Sequence, residues 1–576
     1  MRQPVFLCEF LLFLSFFMCI FCFWDSSVDK KENLCYNGSA IGTIFPALEE
    51  THFLKNRKGS IMKLTKLICL LLAVCCLLCC FVACDNDEGG VDDGGDRVGD
   101  SWEGVDFGGS TLKISVSANQ DSEVTFPACD IYTKGPDAVT TEEEQKKVLA
   151  RNKSVADMLN LNVVYTTTDL PYSGVLGNIE QLVRGAAEDA PDVYNNDMYG
   201  LTRAMVAGYL WNVKNPGTDA NGNEVKNYFD FTYDGWNYEF MKGCTFDQNK
   251  MYILAGDYFL DMIRMAWVFY VNVDMFNENG QALGYGDINS FYEYVTSGIW
   301  DYEALTYMCK RVWQDNGTDL DKTDKKDGRI GLAINHVCDW IFVSSTGVTT
   351  FYQDENYKPC VMQDTNTFNQ VATALRTIMS GSAEAASSTF TGDGIYYEQE
   401  VLSSTNYFFD SNFLFAVSVL GELESTAMRG VEFQKGLVPL PKWNEQRQDE
   451  YHTMVHDQTE LGAILNNAAS FGRASAYMQA INEESADVVY EYYEKGLKFK
   501  YNEDKGIRSM IDLVYETIDT PFGMQLAGLA TANSTETLVG MIAAATNNTV
   551  ASTFGSEKIA YENALKATLE SFSKLQ

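Results

Sequence analysis

TEEEQKKVLARNKSVADMLNLNVVYT (Thr141–Thr166) changes its apolar period partway along, and that change decides the fold class. Up to Asn160 the pattern is helical. Thr140 or Thr141 can cap the start, and Glu142, Glu143 and Glu144 favour the positive end of the helix dipole. LNVVYT (Leu161–Thr166) then reads as a strand. Upstream, TLKISVSA (Thr111–Ala118) alternates at Leu112, Ile114 and Val116, as a half-buried strand does. Downstream, a second helical pattern covers Gly177 to Ala187, and PDVY (Pro191–Tyr194) leads into a loop. Strand–helix–strand–helix–strand at this spacing predicts an α/β sheet, whose ligands gather at the C-terminal ends of the strands.

Further along, KMYILAGD (Lys250–Asp257) reads as a strand and RMAWVFYVNVDMF (Arg264–Phe276) as a long apolar extended run. From Trp300 helices dominate, with Asp301 capping one that reaches Trp313. LFAVSVL (Leu414–Leu420) and KGLVPLP (Lys435–Pro441) return to strand character, and from about Ala463 the pattern is mostly helical. This order predicts a chain that crosses between two lobes.

The 576 residues carry 43 Lys+Arg against 79 Asp+Glu, a net charge of -36, and 13% aromatic residues. So much apolar material excludes a disordered solvating chain. The negative charge argues against nucleic-acid or anionic-membrane surfaces as partners, because their phosphates would be repelled.

Of the 15 cysteines, nine precede Cys84, and only Cys129, Cys244, Cys309, Cys338 and Cys360 follow it. Met62 opens an export signal: Lys63 and Lys66 form a charged start, Leu67 to Val82 an apolar core, and small Ala83 precedes Cys84. FVAC followed by DNDEGG resembles the bacterial lipoprotein signal, in which the cysteine is lipidated and becomes the mature N-terminus; Phe81 departs from the aliphatic residue usual there. An uncleaved anchor helix is the alternative. Residues 1–61 are expected to be an extension from a start called too early, 62–83 the signal peptide, and 84–104 an acidic Gly/Asp tether. Either way the body is expected outside the cytoplasmic membrane, on its extracellular face.

Several stretches resemble the extracellular solute-binding proteins, family 1, of bacterial sugar ABC importers. They are ARNKSVADMLNLNVVY (Ala150–Tyr165), APDVYNNDMYGLTRAMVAGYLWNV (Ala190–Val213), NKMYILAGDYFLDMIRMAWVFYVNVDMF (Asn249–Phe276), GIWDYEALTYMCKRVWQD (Gly298–Asp315), FQKGLVPLPKW (Phe433–Trp443) and YEKGLKFKYNEDKGIRSMIDLV (Tyr493–Val514). The resemblance implies a two-lobed α/β fold of the periplasmic-binding-protein type II kind, its discontinuous lobes joined by hinge strands. Lobe 1 would be 105–266 plus 408–466, and lobe 2 would be 267–407 plus 467–576. It implies a monomeric binding protein rather than an enzyme, with a carbohydrate ligand, an ABC permease as partner and no cofactor. An extracellular carbohydrate-active hydrolase and a ligand-sensing subunit of the same fold are the alternatives.

A sugar presents hydroxyls around its rim and flat C–H faces, so its receptor needs planar carboxylates and amides beside aromatic rings. Trp236, Trp340 and Trp443 stand in polar, turn-rich surroundings and are candidates for the cleft, whereas Trp211, Trp267, Trp300 and Trp313 read as core. Asn196 and Asp197 follow the PDVY strand, where an Asx turn is the competing reading. Asp257, Tyr258 and Arg264 surround the end of KMYILAGD, with Arg264 expected to pair with Asp257 or Asp261. His452 and His456 are four apart, but Tyr451, Thr453 and Val455 alternate as in a strand, where four residues span about 13 Å, too far to share a metal. The aspartate-rich loop Asp315–Gly328 lacks the glycine and glutamate of a calcium loop, so no metal is expected there.

Overall fold

The computed structural model describes residues 101–575 except 118–142, 169, 171, 186–188, 219–221, 315–327, 336–338, 381–388, 392–393, 399–411, 457–458, 501–504, 520–533 and 545–549. The expected leader, the lipidation site Cys84, the tether up to residue 100 and the aspartate-rich loop 315–327 lie outside the described residues.

The opening pattern folds as its periods predict. β1 (Thr111–Ser117) pairs in parallel with β2 (Asn162–Thr168) over its whole length, from Thr111 opposite Asn162 to Ser117 opposite Thr168. Helix α1 (Glu143–Met158) connects them and buries Val148, Leu149 and Val155 on the face that its sequence made apolar. After α2 (Val175–Arg184) comes β3 (Val193–Asp197), parallel to β1 with Ile114 opposite Val193. Helix α3 (Met198–Val206) starts immediately, capped by the Asp197 carboxylate, which accepts from the Gly200 N–H at 2.7 Å. The sheet is completed from far along the chain: β13 (Glu460–Ile464) lies antiparallel to β3, giving the order β13-β3-β1-β2.

The short helix α4 (Asp261–Arg264) leads into β4 (Trp267–Asn272), buried at every position. The extended run expected through Phe276 stops here, because the Asn272 side chain accepts from the Met275 N–H and starts α5 (Val273–Leu283). Helices α6 (Ile288–Thr296) and α7 (Tyr302–Val312) follow, capped by Asp287 and Asp301. A second sheet has the order β11-β4-β10-β5-β9-β8, with β5 (Ile330–Asn335), β8 (Thr389–Thr391), β9 (Ile395–Glu398), β10 (Phe413–Val419) and β11 (Lys435–Val438). β4 runs antiparallel to both β10 and β11, while β10, β5 and β9 are mutually parallel. These two mixed sheets, each closed by a later part of the chain, give the discontinuous α/β fold.

Two segments differ from the expected division. β10 and β11, placed in lobe 1 on the sequence, belong to the second sheet. All seven β10 residues are buried, which requires a central position, and it lies between β4 and β5. Helix α9 (Phe471–Glu483), placed in lobe 2, packs on α1 of the first sheet, beside the hydrogen bond from Trp102 Nε1 to Glu483 Oε2 at 2.7 Å. KMYILAGD makes two isolated bridges rather than a ladder strand, Leu254 exchanging both backbone bonds with Gly462 and Gly256 bridging Trp236.

The chain leaves the first sheet at Met265–Ala266 and returns at Val455–His456, and these segments run side by side. Ala266 bridges Val455, and the His456 N–H donates to the Met265 carbonyl at 2.8 Å. Next to them β12 (Thr453–Met454) pairs with β14 (Ile518–Asp519). Helix α10 (Lys505–Glu516) rests on α6 and β11, and the C-terminal α11 (Val550–Phe572) on α8 (Thr365–Met379). Among the described residues no helix is long and apolar enough to cross a membrane.

Candidate ligand site

Strands β1, β2 and β3 end together at Ser117, Thr168 and Asp197, and β13 enters beside them at Glu460, the register partner of Asp197. At such an edge the backbone ladder stops and side chains must supply the remaining partners. They do so incompletely. Asn196 uses its carbonyl oxygen to accept from the Asp197 N–H at 2.9 Å, and its amide nitrogen is buried with no partner. Thr459 Oγ1, one residue before β13, is also buried and unpartnered, as is Glu460 Oε2. Strand alternation sets Asp197 and Glu460 on one face of the ladder end and Asn196 on the other. Each buried polar atom left unmet costs about 1–3 kcal/mol, so their concentration at one edge is the mark of a site built for hydrogen bonding.

Asp261 stands behind this edge, its Oδ2 accepting from the Glu460 N–H at 2.7 Å. Burial pushes the Asp261 carboxyl up, and burial with the neighbouring Asp261 pushes Glu460 well above the usual carboxylate range. His456 lies beside Asp261 and stacks on Trp267, with ring centroids 5.2 Å apart, and the Trp267 indole nitrogen is buried without a partner. These rings stand where the chain crosses between the sheets.

Arg264 does not make its ion pair with Asp257 or Asp261, as the sequence suggested. Its Nη2 contacts Glu144 at 2.5 Å and its Nε contacts Glu424 at 3.1 Å, while the guanidinium lies 4.5 Å from the Tyr492 ring centroid. Arg264 is 4% exposed, and this buried network ties α1, α4 and the turn after β10 together. The change of partner follows from direction: on one turn of α4, Asp261 points to β13 and Arg264 to α1.

The other residues named from the sequence fall as follows. Trp236 is 3% exposed, donates from Nε1 to Gln479 Oε1 at 2.9 Å, and packs among Phe229, Phe231 and Tyr258. Tyr258 is buried, its hydroxyl donating to the Leu254 carbonyl at 3.2 Å. Asp257 is half-buried on the same segment, and burial pushes its carboxyl up to about 6, with Arg151 opposing the shift. Trp340 sits in the helix Asp339–Ser344 and Trp443 beyond β11, with Arg447 5.9 Å from its ring; both belong with the second sheet's surroundings. The structure therefore brings Asn196 and Asp197 to the strand-end site and distributes the three tryptophans elsewhere. Glu460 and Thr459 were missed. Their signal was a polar pair directly before the apolar strand LGAI (Leu461–Ile464).

A groove of about 560 Å³ lies apart from this edge, between α11 and the hairpin of β6 (Phe351–Gln353) and β7 (Pro359–Val361), and shares no residue with it.

No family model matches the sequence, and no curated protein matches it. Solved structures do. The galacto-N-biose-/lacto-N-biose I-binding protein of the ABC transporter from Bifidobacterium longum, in complex with lacto-N-biose, aligns over 80% of this chain and 98% of its own, with 13% identity and a TM-score of 0.49. The cyclic alpha-maltosyl-1,6-maltose binding protein from Arthrobacter globiformis aligns over 80% of this chain and 100% of its own, with 13% identity and a TM-score of 0.48. The GacH receptor of Streptomyces glaucescens covers 81% and 100%, with 12% identity and a TM-score of 0.42. These are binding proteins.

Proposed function

We propose that this chain is an extracellular solute-binding protein, held to the membrane by a lipid on Cys84, that captures a mono- or oligosaccharide by hinge closure and delivers it to an ABC permease. The observation that carries the reading is the set of unmet hydrogen-bonding atoms at the ends of β1–β3 and β13, namely Asn196 Nδ2, Thr459 Oγ1 and Glu460 Oε2. Sugar hydroxyls both donate and accept, and so can meet an amide, a hydroxyl and a carboxyl at once. Asn196, Asp197 and Glu460 are the proposed contacts, with Tyr258 and Arg264 holding the segments behind them. A ligand that touches both sheets' surroundings only when they approach binds the closed state more tightly and shifts the population toward it.

Titration calorimetry of the exported chain against mono- and oligosaccharides tests this. One or more sugars bind, and Asn196→Ala lowers affinity about tenfold, the worth of one lost hydrogen bond. Binding of peptides but no sugar would remove the carbohydrate reading, and hydrolysis products in the cell would replace binding with catalysis.

A further inference from the structure

Among the described residues the strand-end site is short of positive charge. Glu460 is the register partner of Asp197, accepts from Ser117, and lies within electrostatic range of Asp261 and Tyr194. Asp261 accepts from the Glu460 N–H and lies within electrostatic range of Glu460, Arg264, His456 and Glu424. The arginine is already shared between Glu144 and Glu424, so its single charge is outnumbered before Asp261 and Glu460 are considered. Buried carboxyls without a counter-charge either keep a proton or take up a cation. A metal ion is not the cation that fits, since among the described residues no group of three or more His, Cys, Asp or Glu side chains converges on a point. The cation that fits is a polyatomic one that brings its own hydrogen-bonding rim and takes the place of the carboxyl proton.

A second, independent sign of a ligand lies at the same edge. Thr459, 0% exposed, and Asn196, 2% exposed, leave Oγ1 and Nδ2 without partners. Alternation sets them off the ladder face that holds Glu460, so a molecule lying across the strand ends meets a carboxyl on one side and a neutral amide and hydroxyl on the other. Hydroxyls suit the neutral side. An ammonium suits the carboxyl side.

Resting on the reading of this edge as a carbohydrate site, we propose that its ligand is an amine-bearing sugar whose ammonium is held by Glu460 and Asp261 while its hydroxyls meet Asn196 and Thr459. An N-acetyl or hydroxyl group in the amine's place cannot form that ion pair and leaves Glu460 protonated, and a uronic acid is repelled. Burial raises Asp261 to about 6 and Glu460 well above the usual carboxylate range, so at pH 6 Glu460 keeps its proton until the ammonium arrives, and binding the amine releases that proton.

Disaccharides of one linkage that differ only in carrying a free amine, an acetamide or a hydroxyl at carbon 2 provide the test, run for α- and β-linked series by titration calorimetry at pH 6. The amine form of at least one series binds tenfold or more tighter than its hydroxyl form, and Glu460→Gln collapses that ratio. Repeating the wild-type titration in buffers of different ionisation enthalpy gives proton release with the amine and none with the neutral sugar, a readout that does not depend on the variant folding. Neutral sugars binding as tightly as their amines, or equal proton counts for both, overturn the amine assignment and leave carbohydrate binding standing. No saccharide binding at all overturns both.

Discussion

At the scale of single residues, the acids near the crossing set how stability responds to pH. Asp257 is raised from 3.8 to about 6 by burial, with Arg151 opposing. An acid with a higher pKa folded than unfolded binds its proton more tightly in the native state. Its contribution is fully present below about pH 4 and is lost as pH rises through about 6. The shift corresponds to at most about 3 kcal/mol. Asp257→Asn removes the penalty, so the variant is more stable than wild type at pH 7.5 by up to about that amount and equal to it at pH 4. Urea unfolding at the two pH values checks this, and a pH-independent difference would mean that the side chain acts by packing alone. Glu144 follows the same sign, because burial raises it despite the attraction of Arg264.

At the scale of elements, β13 has no room for a side chain at its central glycine. A Cβ on Gly462 would lie 2.3 Å from the Tyr258 hydroxyl and 2.9 Å from Asn195 Oδ1. Gly462→Ala therefore forces Tyr258 or the ladder to move and is expected to cost about 1–3 kcal/mol in urea unfolding. Gly540, exposed in the helix Ser534–Ala544 with nothing within 4 Å of its Cβ position, is the contrasting case. Gly540→Ala should gain about 0.5–1 kcal/mol through helix propensity. The same contrast explains what the sequence could disclose. β1, α1 and β2 are legible because their periods are local and their neighbours lie close in the chain. The sheet to which β10 belongs, and the helix on which α9 packs, depend on partners that periodicity does not name. Arg264 could be suspected of an ion pair, but Glu144 and Glu424 stand 120 and 160 residues away. Asn196 and Asp197 could be placed at the end of β3 by the switch-point rule, whereas Glu460 is placed beside them only once β13 is known to pair there.

At the scale of the molecule, the crossing segments Met265–Ala266 and Val455–His456 run side by side between the two sheets and are the hinge of the proposed closure. If closure about it captures the sugar, small-angle scattering will record a smaller radius of gyration at saturating ligand, and an unchanged radius would sink the hinge mechanism. Ligand at a hundred times its Kd adds about 2.7 kcal/mol of stability whatever the geometry, so thermal shift alone does not report closure. The hydrogen bond from Trp102 to Glu483 has a further meaning, measured in time. It joins residues 381 apart in the chain, and Lys250 reaches the Leu575 carbonyl across 325. At about 5–20 residues per second, a ribosome needs roughly 20–80 s to deliver the second member of the first pair after the first. For most of that interval the early strands have no β13 to pair with and no α9 to cover α1. The first sheet therefore stays incomplete until β13 is made, and the contact of Lys250 waits for the segment after α11.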